Sequence, residues 1–394
     1  MGRRVVCLVA DGFGVGASPD AVDYGDLGAN TLANTARAVG GLRLPTLEKL
    51  GMGCLSDVPG MAPVAAPAAR VGKLQERSAG KDTTTGHWEL AGLVTREPFT
   101  TFPSGFPKEL VDAFVRLAEI PGVLGNYAAS GTQIIDDLGA EHLATGKPIL
   151  YTSGDSVFQI AAHETHFGLE RLYKICEIAR RLTLDSRIGR VIARPFVGDA
   201  VSGFKRTERR RDYSIDPGRH CLDVLYEGGV EVVSVGKIDD IFNHRSLTRK
   251  EHTGNNRDSL KATLEFLKNS RGKDAFIFTN LVDFDMLYGH RRDPRGYAGA
   301  LAELDAFYPK LLAELAEDDL ILLTSDHGCD PTFRGSDHTR EYVPLIAYGP
   351  KLGGGDLGVR SGFSDVAASV LSAFKMDPRV LPDAGQSFIE QRSP

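Results

Sequence analysis

Long apolar runs are missing from this 394-residue chain, and no stretch approaches the ~18 residues of a membrane span. Excess positive charge is missing too. The net charge is −6, which argues against nucleic acid, whose readers present a basic face. An anionic substrate must then meet a local basic site within an acidic whole. Cysteine is sparse and scattered: Cys7, Cys54, Cys176, Cys221 and Cys329 are odd in number and never form a CxxC. They read as reduced thiols of a cytoplasmic protein. The first apolar stretch ends at Asp11, too early for a secretory signal, and Val6 stands where a myristoylation signal needs Ser or Thr. There is one tryptophan, Trp88, read as packing.

What is present is ordinary globular material, 42% hydrophobic and 25% charged. The length allows one large domain or two ordinary ones. "RVVCLVAD" is a short β-branched run ending at Asp11, the pattern of a buried strand. "AFIFTNLVDFD", "LILLTSDHG" and "EVVSVGKIDD" repeat that shape. Helical stretches such as "SLKATLEFLKN" and "GYAGALAELDAFYPKLLAEL" lie between them. Buried strands alternating with helices predict a doubly wound α/β fold with a mostly parallel sheet. From 99 to 217 the strands shorten and basic residues crowd in. This section reads as a smaller α+β domain inserted into a core built from 1–98 and 218–394. "KLGGGDLG" from Lys351 reads as a surface loop, and "HETHFGLE" from His163 as ordinary structure, since its two histidines are not in H-E-x-x-H spacing.

Open α/β sheets bind ligands beyond the carboxyl ends of their strands. Asp11, Asp285 and the pair Asp326–His327 stand just past such ends, and His290 and His338 follow soon after. Three carboxylates with three imidazoles suit Mn²⁺, Zn²⁺ or Mg²⁺. Six ligands exceed one open zinc site and suit two ions sharing the set. "DGFGVGA" offers a rival, because Gly12, Gly14 and Ala17 fit a dinucleotide fingerprint. The turn-rich "SPDAVDYGDLG" that follows lacks the helix such a site needs, and Asp11 would repel the phosphates.

"GKDTTTGHWEL" sets three threonines between Gly80 and Gly86, which bracket the run as turns do. With "NLVDFDMLYGHRRD", "SDHGCDP", "GSDHTREYVPLIAY", "YTSGDSVFQIAAHE" and "GRVIARPFVG" it gives a chain-long series of motifs that resembles the phosphopentomutases, of the alkaline phosphatase superfamily. One departure is Asp11-Gly12, where that family usually has Asp-Ser. The resemblance implies an alkaline phosphatase-like core with an inserted cap and two Mn²⁺ ions, with Mg²⁺, Zn²⁺ or Co²⁺ as alternatives. Asp285, His290 and His338 would hold one ion, and Asp11, Asp326 and His327 the other. Thr83 would be the phosphorylated nucleophile between them, with Lys81 and His87 as nearby donors. Asp155 would accept a sugar hydroxyl. Arginine forks bind phosphate bidentately, so Arg190, Arg194, Arg206 and Arg210, with Lys237, are candidates for the second phosphate. The implied reaction interconverts α-D-ribose 1-phosphate and ribose 5-phosphate, with deoxyribose analogues, through a 1,5-bisphosphate that also serves as primer. A phosphohydrolase, or a mutase of another sugar phosphate, would use the same core. The expected partners are small pentose phosphates alone, for a monomer or weak oligomer in the cytoplasm.

Overall fold

The computed structural model describes residues 2–153 and 156–389. The chain divides into two units, with the boundaries between Glu97 and Pro98 and between Asp216 and Pro217. The first unit contains an eight-stranded sheet. Its strands, in chain order, are β1 (Arg4–Ala10), β2 (Arg70–Leu74), β3 (Glu231–Val235), β4 (Arg249–Glu251), β5 (Ala275–Leu281), β6 (Leu320–Thr324), β7 (Val343–Tyr348) and β8 (Gly355–Arg360). Their order across the sheet is β4-β3-β5-β1-β6-β7-β2-β8.

Five of the seven pairings are parallel, and only β7 runs antiparallel to its neighbours β6 and β2. All seven residues of β1 are buried, as are all seven of β5 and all five of β6. Strands covered on both faces need no polar alternation, which is why these segments are near-continuous apolar runs. Val6, Leu8 and Ala10 face one layer of the core with Leu32, Ala36, Leu301, Leu304 and Tyr308. Because β5, β1 and β6 are adjacent and parallel, their carboxyl ends lie along one edge. At the opposite end Arg4 and Asp319, both about 1% exposed, form a buried ion pair. The guanidinium also donates to the carbonyls of Leu267 and Glu314, so the charge is fully engaged.

Two expectations are corrected here. The threonine run is no turn: Thr83–Leu90 is a helix, capped by Asp82, whose Oδ1 accepts from the amides of Thr84 and Thr85, both at 3.1 Å. Asp at the N-cap satisfies amides that lack helical partners, and this overrides the strand preference of consecutive threonines. The segment after Lys351 is only partly loop, because Gly355–Arg360 pairs with β2 as the edge strand β8.

The second unit has its own six-stranded mixed sheet, in the order Leu124–Ala128, Ile149–Thr152, Val157–His163, Arg190–Asp199 and Gly203–Arg206, with Arg211–Ser214 also paired to Arg190–Asp199. One apolar cluster gathers Phe114, Phe158, Leu172, Ile175 and Val191, and a second gathers Ile134, Ile135, Tyr151 and Phe196. Helices Lys108–Leu117 and Leu169–Leu182 contribute to the first cluster and Gln133–Thr145 to the second. "HETHFGLE" forms the π-turn Glu164–Gly168 leading into the Leu169–Leu182 helix.

Candidate metal centre and nucleophile

Asp11 follows β1 directly, Asp285 comes four residues after β5, and Asp326–His327 two residues after β6. The shared edge of those three strands therefore brings together side chains that are up to 316 positions apart, since Asp11 and His327 are drawn from near the two ends of the sequence. His327 Nε2 lies 3.4 Å from Asp11 Oδ1 and 3.4 Å from Asp326 Oδ2. His338 Nε2 lies 3.4 Å from Asp285 Oδ1, and His290 Nε2 lies 3.3 Å from Asp285 Oδ2. The Nε2 atoms of His290 and His338 are 3.1 Å apart, and the rings of His327 and His338 stack at 3.9 Å. Potential ligand atoms of Asp11, Asp326 and His327 all fall within 4.8 Å of one another, as do those of Asp285, His327 and His338.

The donor set fits divalent cations. Asp11 Oδ1, Asp285 Oδ1 and Asp326 Oδ2 are buried and accept no hydrogen bond. Three buried carboxylates with orphaned oxygens turned on one cluster are costly unless positive charge meets them. The imidazoles are oriented to match. His290 Nδ1 lies 2.6 Å from the Ser336 carbonyl and His327 Nδ1 3.1 Å from that of Gly328. A carbonyl on Nδ1 places the proton there and leaves the Nε2 lone pair facing the carboxylates, as a metal ligand requires. Without a cation the imidazoles take up protons instead. Burial opposes the charge on His290 and His327, yet Asp285 and Asp326 respectively outweigh it and raise both to about 9. Burial likewise pushes Asp11 and Asp285 up, but Lys237 and His327 bring Asp11 far below the usual carboxylate range, and His338 and His290 do so for Asp285.

Thr83 joins this cluster. Its Oγ1 is 3.2 Å from His327 Nε2. It occupies the first turn of the capped helix, whose amides and dipole favour an anion at that end. The helix lies directly against the segment after β6: a Cβ on Gly86 would stand 1.9 Å from the carbonyl oxygen of Asp326. Glycine is required there by close backbone approach. His87, fully buried, places Nδ1 2.8 Å from the Thr83 carbonyl and 3.1 Å from Asp326 Oδ2. Lys81 pairs with Asp26 at 3.0 Å and Asp337 at 3.2 Å. Lys237, two residues past β3, bonds Asp11 Oδ2 at 3.2 Å and so belongs to the carboxylate cluster. Trp88 is packed inward and donates to the Ile241 carbonyl.

The second unit carries a separate basic group. Asp212 is flanked by Arg210 at 2.5 Å and Arg190 at 3.5 Å. Arg194 donates to Gln159 at 3.1 Å, and Arg206 to the Thr132 hydroxyl at 3.1 Å. Burial, and then the charge of Arg210, lower Arg194 to about 10. Asp155 lies outside the described residues.

Several neighbours escape a reading of sequence. Asn280 donates to Asp11 Oδ2 at 3.1 Å and lies 3.3 Å from His87 Nε2. A side-chain amide inside a buried, largely apolar strand was its only signal. Ser325 accepts from the Phe13 amide at 2.8 Å and donates to the His327 carbonyl at 2.9 Å, tying the ends of β1 and β6. Arg340, 2% exposed, grips Asp20, Glu76 and the Gly80 carbonyl, joining the His338 segment to the loop before Thr83.

The family model described as the metalloenzyme superfamily matches residues 3–378. A curated phosphopentomutase of Anaeromyxobacter sp. (strain K) is 54% identical over 392 residues, covering 99% of each chain. That of Symbiobacterium thermophilum is 51% identical over 391 residues, covering 99% of this chain and 98% of its own. Among solved structures, a Leishmania mexicana phosphoglycerate mutase aligns over 98% of this chain and 97% of its own, with 12% identity and a TM-score of 0.49.

Proposed function

The chain belongs to the phosphopentomutase family, metal-dependent isomerases of pentose phosphates built on an alkaline phosphatase-like α/β core, and from that premise we propose the following reaction. It interconverts α-D-ribose 1-phosphate and D-ribose 5-phosphate, and the 2-deoxyribose analogues, through phospho-Thr83 and a pentose 1,5-bisphosphate. The observation that carries this reading is the 3.2 Å approach of Thr83 Oγ1 to His327 inside the six-residue cluster.

Asp285, His290 and His338 would hold one ion and Asp11, Asp326 and His327 a second, with Mn²⁺ first among Mn²⁺, Mg²⁺, Zn²⁺ and Co²⁺. Bound there, divalent ions supply Lewis acidity that makes a threonine oxygen nucleophilic and offsets charge on a transferring phosphoryl group. The chain's own residues do the rest. Asp82 and the helix amides fix Thr83, and His87 holds the Thr83 carbonyl in register. Phospho-Thr83 gives its phosphoryl group to the free hydroxyl of the monophosphate. The Oγ–P bond breaks, the sugar O–P bond forms, and the hydroxyl proton ends on Thr83 Oγ1. The bisphosphate reorients and returns its other phosphate to the same oxygen. Arg190, Arg194, Arg206 and Arg210 of the second unit are assigned to phosphate recognition, Asp155 to a sugar hydroxyl, and Lys237 to holding charge at Asp11. The cytoplasm suits the five free thiols, and no helix among the described residues is long and apolar enough to cross a membrane.

The test is a coupled assay with ribose 1-phosphate, Mn²⁺ and a trace of bisphosphate. Ribose 5-phosphate should appear, and mass spectrometry should find phosphate on Thr83 but not on Thr84 or Thr85. Thr83→Ala should abolish both. Stoichiometric release of inorganic phosphate in place of the isomer would make the protein a hydrolase and overturn the proposal.

A further inference from the structure

One buried nucleophile beside the centre has no part in the reaction just described. Cys329 is 1% exposed. Its sulfur, a carboxylate oxygen of Asp285 and a ring nitrogen of His290 all lie within 4.8 Å of one another. The first unit is built to admit that sulfur. A Cβ on Gly289, the residue before His290, would stand 2.5 Å from Cys329 Sγ. A Cβ on Gly12, the residue after Asp11, would stand 2.8 Å from Cys329 Cβ. Absent side chains next to two of the ligands are what make room for the thiol.

The backbone holds Cys329 in place. Its amide donates to Thr31 Oγ1 at 3.3 Å, and Thr31 Oγ1 donates to the buried Glu341 at 2.7 Å. Gly328 and Thr339 form a two-way bridge, with N–O distances of 3.1 and 2.8 Å. Cys329 follows one side of that bridge and His338 precedes the other. Both are thus delivered to Asp285 and His290 by the same small piece of backbone. Thiolate is the softest donor a protein offers, whereas carboxylate and imidazole serve harder ions.

We propose that Cys329 gives the Asp285–His290 half of the centre a second binding mode, in which a thiophilic divalent cation such as Zn²⁺ or Cd²⁺ is held by Asp285, His290 and Cys329. Hard ions such as Mn²⁺ take His338 with Asp285 and His290 instead. On coordination the S–H bond breaks, its proton passes to water, and a sulfur–metal bond forms with no change of oxidation state. The centre thereby sorts cations by softness, and a thiophilic ion is drawn away from the His338 side. This inference rests on the cluster being a metal centre, as proposed above.

The experiment titrates the full metal-free protein with Co²⁺, which reports its donors by colour, and with Cd²⁺. Wild type should develop a sulfur-to-cobalt charge-transfer band in the near ultraviolet. Cys329→Ser should keep the visible ligand-field bands from nitrogen and oxygen donors but lose the charge-transfer band. Its Cd²⁺ affinity should fall about tenfold or more while Mn²⁺ affinity, read by electron paramagnetic resonance, stays within about twofold. Retained Mn²⁺ affinity also shows that the variant folds. Ligand-field bands in wild type with no charge-transfer band would overturn the thiol mode and leave the metal centre standing. A charge-transfer band that survives in Cys329→Ser would overturn it as well. Failure of wild type to bind Co²⁺ or Mn²⁺ at all would overturn both readings together.

Discussion

The start of the Thr83 helix permits a quantitative test. Asp82 receives three hydrogen bonds: from the Thr84 and Thr85 amides at 3.1 Å each, and from Thr85 Oγ1 at 2.6 Å. Loss of an N-cap acceptor costs about 1 kcal/mol, and loss of negative charge at a helix N-terminus about another 0.5 kcal/mol. Asp82→Ala should therefore lower the unfolding free energy by about 1.5 to 2 kcal/mol once the stranded Thr85 hydroxyl is included. Asp82→Asn keeps an acceptor for both amides and should cost about half as much. Activity should fall further than stability. Thr83 stands in the first turn, and a displacement of about 1 Å at a nucleophile can cost about a hundredfold in rate. Urea unfolding of the metal-loaded protein measures the first quantity and the coupled isomerase assay the second. If Asp82→Ala loses the stated stability yet keeps its rate within about twofold, the cap does not position the nucleophile and the reasoning fails.

Gly86→Ala should be more damaging than a usual glycine-to-alanine change in a helix, because the new Cβ would meet the Asp326 carbonyl oxygen at 1.9 Å. We expect about 2 kcal/mol or more of destabilisation and weakened Mn²⁺ binding by calorimetry; native values for both would refute the close approach. In the metal-free protein His290 and His327 stand at about 9. Their folded-state values exceed the unfolded value, so the stability they contribute is fully present below the unfolded histidine value and is lost as pH rises toward about 9. Thermal melts in chelator should fall across that window, while Mn²⁺ affinity should rise across it as the competing protons leave; opposite slopes would refute the assignment. Arg340→Met strands Glu76, which is buried and faces that guanidinium at 2.6 Å. The loss should be about 3 kcal/mol or more, and adding Glu76→Gln should recover part of it in a double-mutant cycle. Additive losses would show that the pair is not coupled.

Much of the candidate centre could be read from the chain because its aspartates and histidines sit where apolar runs stop. Asp11 and the Asp326–His327 pair close runs buried on both faces, and a charge at that point has few structural uses. The supporting residues were hidden for a physical reason. Asn280, Ser325 and Arg340 act through partners about 270, 310 and 260 positions away, and nothing local marks them. The helix at Thr83 was obscured because local preference and capping disagree there: three threonines favour a strand, and a single carboxylate one residue earlier decides otherwise. The edge strand β8 was obscured by its glycines, which look like loop until β2 supplies a partner.

The placement of β1 has a consequence for how the protein is made. Among the described residues it precedes every other strand in chain order, yet it pairs there only with β5 and β6, whose registers set Val5 beside Phe276 and Leu320. During translation this largely apolar segment must wait while more than two hundred residues emerge, including a unit with a sheet of its own. The second unit can close while the first cannot, so the nascent chain carries a sticky end whose fate is set by the ribosome's pace and by chaperones. Substitutions that shorten that wait, or mask β1 during it, should raise the yield of folded protein without touching the finished enzyme.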